Sequence, residues 1–153
     1  MENEQKKYEE LLLENQLCFP LYAVSNLIIR KYKPYLKELD LTYTQYITMM
    51  ILWEEDITIM AELNQKLHLN SGTLSPVLKR LEEKGYIEKG PLEEDERVLF
   101  INLTDKGYEL REKALKIPQK MAKEFNLEHE EAKELYRILY KILEQDEKSK
   151  INS

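Results

Sequence analysis

Residues 70–107 read NSGTLSPVLKRLEEKGYIEKGPLEEDERVLFINLTDKG, and two periodicities meet inside them. In the first half the apolar positions are Leu74, Val77, Leu78 and Leu81, the i, i+3, i+4, i+7 stripe of an amphipathic helix. Asn70 or Ser71 can cap this helix, and Gly85 is a natural stop. Beyond Gly85 the period falls to two. Residues 86–89 form a short β-like stretch, Gly90-Pro91 opens a charged turn, and Leu99, Ile101 and Leu103 share one face of residues 98–103. Thr104 then sits where it can cap a further helix.

Upstream, residues 60–67 make a short helix and His68-Leu69-Asn70 a turn, so a helix pair precedes the hairpin. That order is the winged helix-turn-helix. Residues 42–54 read as another helix, and Ile57-Thr58-Ile59 is β-branched enough for a small strand. The first long segment, about 6–39, carries Leu21, Val24, Leu27, Ile28 and Tyr32 at helical spacing. Pro20 marks a helix start or a kink, and Pro34 a second break. Pro118 should kink the helix after Thr104, and residues 128–145 form the last one. The expectation is a mainly α protein: one domain over 1–153, with a winged helix-turn-helix module at 42–104 and a two-stranded β wing. Helices at 6–39 and 105–147 carry more apolar surface than such a module can bury, so they are expected to dimerise. Ile117, Met121, Phe125, Leu135, Leu139 and Leu143 are the interface candidates.

The chain has 23 basic and 29 acidic side chains, a net charge of −6, which alone counts against binding a polyanion. What matters is the sign on one face. Basic residues recur near the middle, at Lys66, Lys79, Arg80, Lys84 and Lys89, while acids crowd the ends. Opposite the apolar stripe of the recognition helix stand Ser71, Thr73, Ser75, Pro76, Lys79 and Arg80. Hydroxyls there can reach base edges or phosphates, and the cations can neutralise phosphate or pair with guanine. One cysteine and two distant histidines exclude an intrachain disulfide and leave too few ligands for a structural zinc site, so no metal is expected. No apolar run approaches the roughly 20 residues of a membrane span, and the polar N-terminus does not read as a secretory signal. A cytoplasmic protein that is not an enzyme and needs no cofactor is expected.

Residues 70–82, then Asp95-Glu96-Arg97, Leu103-Thr104 and Gly107, resemble the recognition helix and wing of the MarR family of bacterial regulators. Residues 14–19, Leu21-Tyr22-Ala23, residues 41–46 and Leu52-Trp53-Glu54 are similar to its OhrR branch of organic-hydroperoxide-sensing repressors. The matches run in order from about residue 11 to 107. One departure stands out. The family's wing carries basic residues ahead of its Asp-Glu-Arg, whereas residues 88–94 here hold only Lys89, which leaves Lys89 and Arg97 as the wing's DNA contacts.

Cys18 lies between Leu17 and Phe19, and the nearby helix start favours the thiolate, the nucleophilic form. Tyr22, Tyr32 and Tyr43 are candidates to converge on it. The resemblance implies that Cys18 is the peroxide sensor and that Tyr32 and Tyr43 contact it. It also implies a homodimer on a pseudo-palindromic double-stranded operator, released when hydroperoxide oxidises Cys18. With no second cysteine, a low-molecular-weight thiol or overoxidation would fix the oxidised state. Other readings stay open on the residues alone: a regulator of this fold answering to a small phenolic ligand with Cys18 incidental, a thiol peroxidase, or a helical adaptor that has lost DNA binding.

Overall fold

The computed structural model describes residues 8–55, 57–92 and 95–151, and for Ile57, Leu92, Asp95, Glu96, Arg97 and Ile151 their backbone. The chain divides after Pro118 into two compact units.

In the first unit, short 3-10 turns at Glu9–Leu11 and Leu13–Asn15 lead into α1, Cys18–Glu38. Pro20 falls in the first turn, where its missing N–H costs nothing. The break expected at Pro34 does not occur, and α1 runs through it. The carbonyl that loses its donor belongs to Arg30, an exposed residue, where water can replace the bond. α1 closes at Asp40, whose φ of 52° turns the chain so that Leu41 N–H bonds back to Leu36 O at 3.0 Å.

α2, Tyr43–Glu54, opens with a complete capping box. Gln45 N–H donates to Thr42 Oγ1 at 3.2 Å, and Thr42 N–H to Gln45 Oε1 at 3.1 Å. β1 (Ile57–Ile59), α3 (Met60–Leu67) and α4 (Ser71–Glu83) follow. His68 makes the turn between the last two in the left-handed region, φ 52°, and Asn70 Oδ1 accepts from Thr73 N–H at 2.9 Å to cap α4. Gly85, φ 74°, ends it.

β2 (Ile87–Leu92) and β3 (Asp95–Leu103) are antiparallel, and β1 pairs with the other side of β3. The expected two-stranded wing is therefore part of a three-stranded sheet of order β1-β3-β2. It is also longer than expected. Gly90 and Pro91 sit in β2 opposite Phe100 and Leu99 rather than in the turn. β2 is an edge strand, where a proline's missing donor is tolerated. Glu93 and Glu94, expected in the turn, lie outside the described residues. Thr104 caps α5, Asp105–Ala114, as expected. The kink foreseen at Pro118 is instead a break at Leu115 and Lys116, so that Pro118 falls in the first turn of α6, Ile117–Ala122.

The core of this unit collects Leu36, Met49, Leu52, Leu63, Leu74, Leu78, Leu81, Ile87, Ile101 and Leu110, all buried. α2 lies against α3, α4, α5 and β3, so it is the element on which the DNA-reading parts are mounted. Fully burying each large aliphatic side chain contributes on the order of 1.5–3 kcal/mol.

The second unit, from Gln119, is dominated by α7, His129–Ile151, which is longer than the expected 128–145. Leu135, Ile138, Leu139 and Ile142 are exposed on it, as are the mutually tilted rings of Tyr136 and Tyr140, with centroids 4.4 Å apart. Ile117 and Met121, expected at a subunit interface, are buried in the chain itself.

Candidate nucleic-acid interface and sensor cysteine

α4 presents two unlike faces. Leu74, Leu78 and Leu81 are at most 1% exposed, while Ser71, Thr73, Ser75, Pro76, Lys79 and Arg80 are all open to solvent. The residues expected to meet DNA thus share one face, and Ser75, Pro76, Lys79, Arg80 and Glu83 line a shallow open hollow on it. At the helix start, Asn64 Nδ2 donates to Ser71 Oγ at 2.7 Å. That bond occupies an acceptor lone pair and leaves the Ser71 O–H free to donate, which is what a phosphate oxygen requires. Asn64 was not foreseen, because a polar residue on a short helix leaves no periodic signal.

The cations on this side differ in availability. Lys79 is exposed, with no ion pair among the described residues. Arg80 pairs with Glu83 at 3.4 Å, a solvent-exposed contact that phosphate can displace. Lys89, placed by the sequence on the wing as a DNA contact, reaches back from β2 to Glu82 of α4 at 2.8 Å. Arg97 lies in β3, and its side chain falls outside those described.

Lys84, foreseen only as one of several central basic residues, is half-buried and folds back onto exposed Asp40. Its ammonium donates to the Asp40 carbonyl, lies 3.2 Å from Asp40 Oδ2 and 3.3 Å from Gln45 Oε1.

Cys18 is the first residue of α1 and is exposed. Leu17, Phe19, Leu21 and Tyr22 around it are exposed too, so the thiol sits in an uncovered apolar patch. Tyr22 lies one turn further along the same helix. Tyr32 and Tyr43 come together, with ring centroids 4.9 Å apart, and Tyr46 joins them at 5.7 Å from Tyr32. They do not meet Cys18 of their own chain. Fourteen residues of α1 separate Cys18 from Tyr32, which at 1.5 Å per residue is about 21 Å. Burial pushes the Tyr46 phenol up to about 12, with Tyr32 and Tyr43 adding to the effect. Burial also raises Tyr32, with Tyr43 contributing, and Tyr43 itself. All three therefore stay protonated near neutrality. Trp53 extends the cluster, 6.3 Å from Tyr46, and its Nε1–H donates to Gly107 O at 3.0 Å at the start of α5.

A recognition helix with an exposed hydroxyl and cation face, a turn to a supporting helix and a hairpin alongside define a winged helix-turn-helix protein. Residues 30–114 match the profile of the transcriptional regulators SarA/Rot. Over 144 residues the chain is 43% identical to the organic hydroperoxide resistance transcriptional regulator of Bacillus subtilis, covering 94% of this chain and 96% of that one. Among solved structures, reduced AbfR bound to DNA superposes with a TM-score of 0.75 at 36% identity, covering 90% of this chain and 97% of that one. Overoxidized AbfR bound to DNA gives 0.72 at 34%, covering 95% and 98%; AbfR is a protein of Staphylococcus epidermidis. The chain belongs to the MarR family of winged-helix transcriptional regulators, on its OhrR-like branch. No helix among the described residues is long and apolar enough to cross a membrane.

Proposed function

We propose that the protein is a transcriptional repressor that holds its operator as a reduced homodimer and releases it when an organic hydroperoxide oxidises Cys18. The observation that carries this is the 43% identity to a hydroperoxide-resistance regulator, which runs through the helix bearing the exposed cysteine as well as through the DNA-reading module. AbfR, similar along the same length, has been seen on DNA in reduced and overoxidized forms.

The chemistry is that of the thiolate, the nucleophilic form of a cysteine. Its sulfur attacks the terminal oxygen of the hydroperoxide, the O–O bond breaks, and the alkoxide takes a proton and leaves as the alcohol. The sulfur is oxidised by two electrons to a sulfenic acid. With no second cysteine in the chain, a small thiol then condenses with it, forming a mixed disulfide and water, or further peroxide carries it to the sulfinic acid. Within one chain the paired phenols of Tyr32 and Tyr43 are out of reach of Cys18, so their hydrogen bonds to the thiolate come from the second protomer. An exposed apolar α7 and an exposed patch about Cys18 are the surfaces such a dimer covers.

On the duplex, the exposed face of α4 lies in the major groove, with Ser71, Thr73, Ser75, Pro76, Lys79 and Arg80 toward bases and phosphates. Arg97 serves the wing, and Lys89 joins it by exchanging its 2.8 Å pairing with Glu82 for phosphate. Two-fold symmetry sets the two helices about one DNA turn apart, roughly 34–36 Å, on a pseudo-palindrome. The protein acts in the cytoplasm and reacts with peroxide stoichiometrically, without turnover.

Fluorescence anisotropy on a duplex from upstream of its own gene tests this. The reduced protein binds, cumene hydroperoxide releases it, and Cys18→Ser binds but is no longer released. Release of Cys18→Ser by peroxide would remove Cys18 from the mechanism. Release by a phenolic compound instead would favour a ligand-responsive regulator.

A further inference from the structure

At the end of the recognition helix the chain makes a joint that no DNA contact requires. Lys84 is the residue after α4, and its side chain is 26% exposed. Its ammonium has three acceptors: the Asp40 carbonyl, Asp40 Oδ2 at 3.2 Å and Gln45 Oε1 at 3.3 Å. Three is the donor capacity of an ammonium. Neither partner is incidental to the fold. Asp40 is the left-handed residue that closes α1, and Gln45 is the far half of the capping box that starts α2. From the other side, Lys106 Nζ of α5 donates to the Lys84 carbonyl at 2.6 Å, and Lys106 lies over the Tyr86 ring at 4.9 Å. Thr104 Oγ1–H meanwhile donates to Gly85 O at 2.6 Å. The last turn of α4 is thus pinned through one residue to the end of α1, the start of α2 and the start of α5.

We infer that Lys84 is a positioning residue for DNA binding and not a phosphate ligand: by tying the C-terminal end of α4 to Asp40 and Gln45, it fixes the angle at which the recognition helix is presented. A lysine in the sequence Leu81-Glu82-Glu83-Lys84 would ordinarily be counted with the electrostatic footprint of the helix. Here its charge is already spent on protein acceptors, two of them at the turn that ends the Cys18 helix. A movement of α1 therefore reaches the recognition helix through this ammonium. The inference rests on the DNA-binding function proposed above.

Two kinds of lysine can be told apart by salt. A phosphate contact releases counterions, so its loss flattens the dependence of log K on log salt concentration by about one unit per contact, whereas a positioning residue lowers affinity and leaves the slope alone. The experiment is anisotropy of the full-length reduced protein on the upstream duplex across a salt series. It compares wild type with Lys84→Met, Asp40→Asn and, as the phosphate-contact reference, Lys79→Met. Lys84→Met is expected to bind about tenfold more weakly with an unchanged slope. Lys79→Met is expected to flatten the slope. Asp40→Asn removes a negative charge, which by charge alone would tighten binding to a polyanion; the inference expects about threefold weakening instead, and asparagine suits the left-handed backbone. Asp40→Asn carries the test if Lys84→Met fails to fold. Flattening by Lys84→Met to the extent seen for Lys79→Met overturns the inference, as does binding by Asp40→Asn as tight as wild type. Wild type that binds the duplex at no salt concentration overturns the proposed function along with it.

Discussion

Of the four glycines, Gly107 is the one with least room for a side chain, and Gly107→Ala tests that directly. A Cβ built there would lie 2.1 Å from the Tyr86 carbonyl oxygen, 3.1 Å from its carbon and 3.0 Å from Leu103 Cδ2. Carbon–oxygen contacts ordinarily close no nearer than about 3.3 Å, so α5 and the start of β2 must part by about 1.2 Å. The obstacle is main chain, which no rotamer change can clear. Overpacking of this kind costs about 1–3 kcal/mol. The shift also strains the bond from Trp53 Nε1–H to Gly107 O, 3.0 Å, and the cap from Gly107 N–H to Thr104 Oγ1, 3.1 Å. Each is worth about 1 kcal/mol, and alanine's better helix propensity returns about as much as one of them. The expected net loss is about 3 kcal/mol, or about 6–12 °C in Tm for a chain of this length. Urea and thermal unfolding at matched protomer concentration measure it, with the fluorescence of Trp53, the chain's one tryptophan, reporting from the site and circular dichroism from the whole. Gly72→Ala is the control, since its Cβ would meet only Asn70 Oδ1, at 3.3 Å. A Gly107→Ala protein within about 2 °C of wild type would refute the packing argument, because for a domain this size that shift corresponds to about 0.5–1 kcal/mol.

Thr42→Ala removes one half of the capping box of α2 and should cost about 1 kcal/mol in urea unfolding, with serine restoring it. Tyr46, with its phenol raised to about 12 in the folded state against about 10 unfolded, favours folding fully below pH 10, a contribution lost as pH rises through 12. Tyr46→Phe should therefore show a smaller fall in urea midpoint than wild type between pH 10 and 12; equal falls would sever the link to burial. Asn64→Ala frees the Ser71 hydroxyl from its 2.7 Å donor and should weaken duplex binding about fivefold with an unchanged salt slope, read by anisotropy.

The helix-turn-helix was legible because its signals are local: an apolar period, a cap at Asn70 and a stop at Gly85 each act over a few residues. The same locality misled at Pro34 and Pro91. Whether a proline breaks an element depends on what its missing donor faced, an exposed carbonyl in one case and the open edge of a sheet in the other, and neither is written in the flanking residues. The exposed face of α4 was readable from spacing alone. The folding back of Lys84 onto Asp40 was not, since it depends on a backbone carbonyl 44 residues away. Nor was the coupling of Lys89 to Glu82, which needs the hairpin folded against the helix. The distance between Cys18 and Tyr32 was in principle countable, but only once Pro20 is known to open α1 and not to kink it.

Pro91 has a further consequence for the wing. It sits on one of the two edge strands of the sheet, and the register slips between Pro91 and Leu92. An open strand edge is a template onto which a foreign strand can zip, and what permits it is an unbroken row of N–H and C=O groups in step. Proline deletes one N–H from that row, and the slip throws the remainder out of phase. The hairpin can therefore project into solvent without growing into a shared sheet with the hairpin of another molecule, and it is left free to enter a groove.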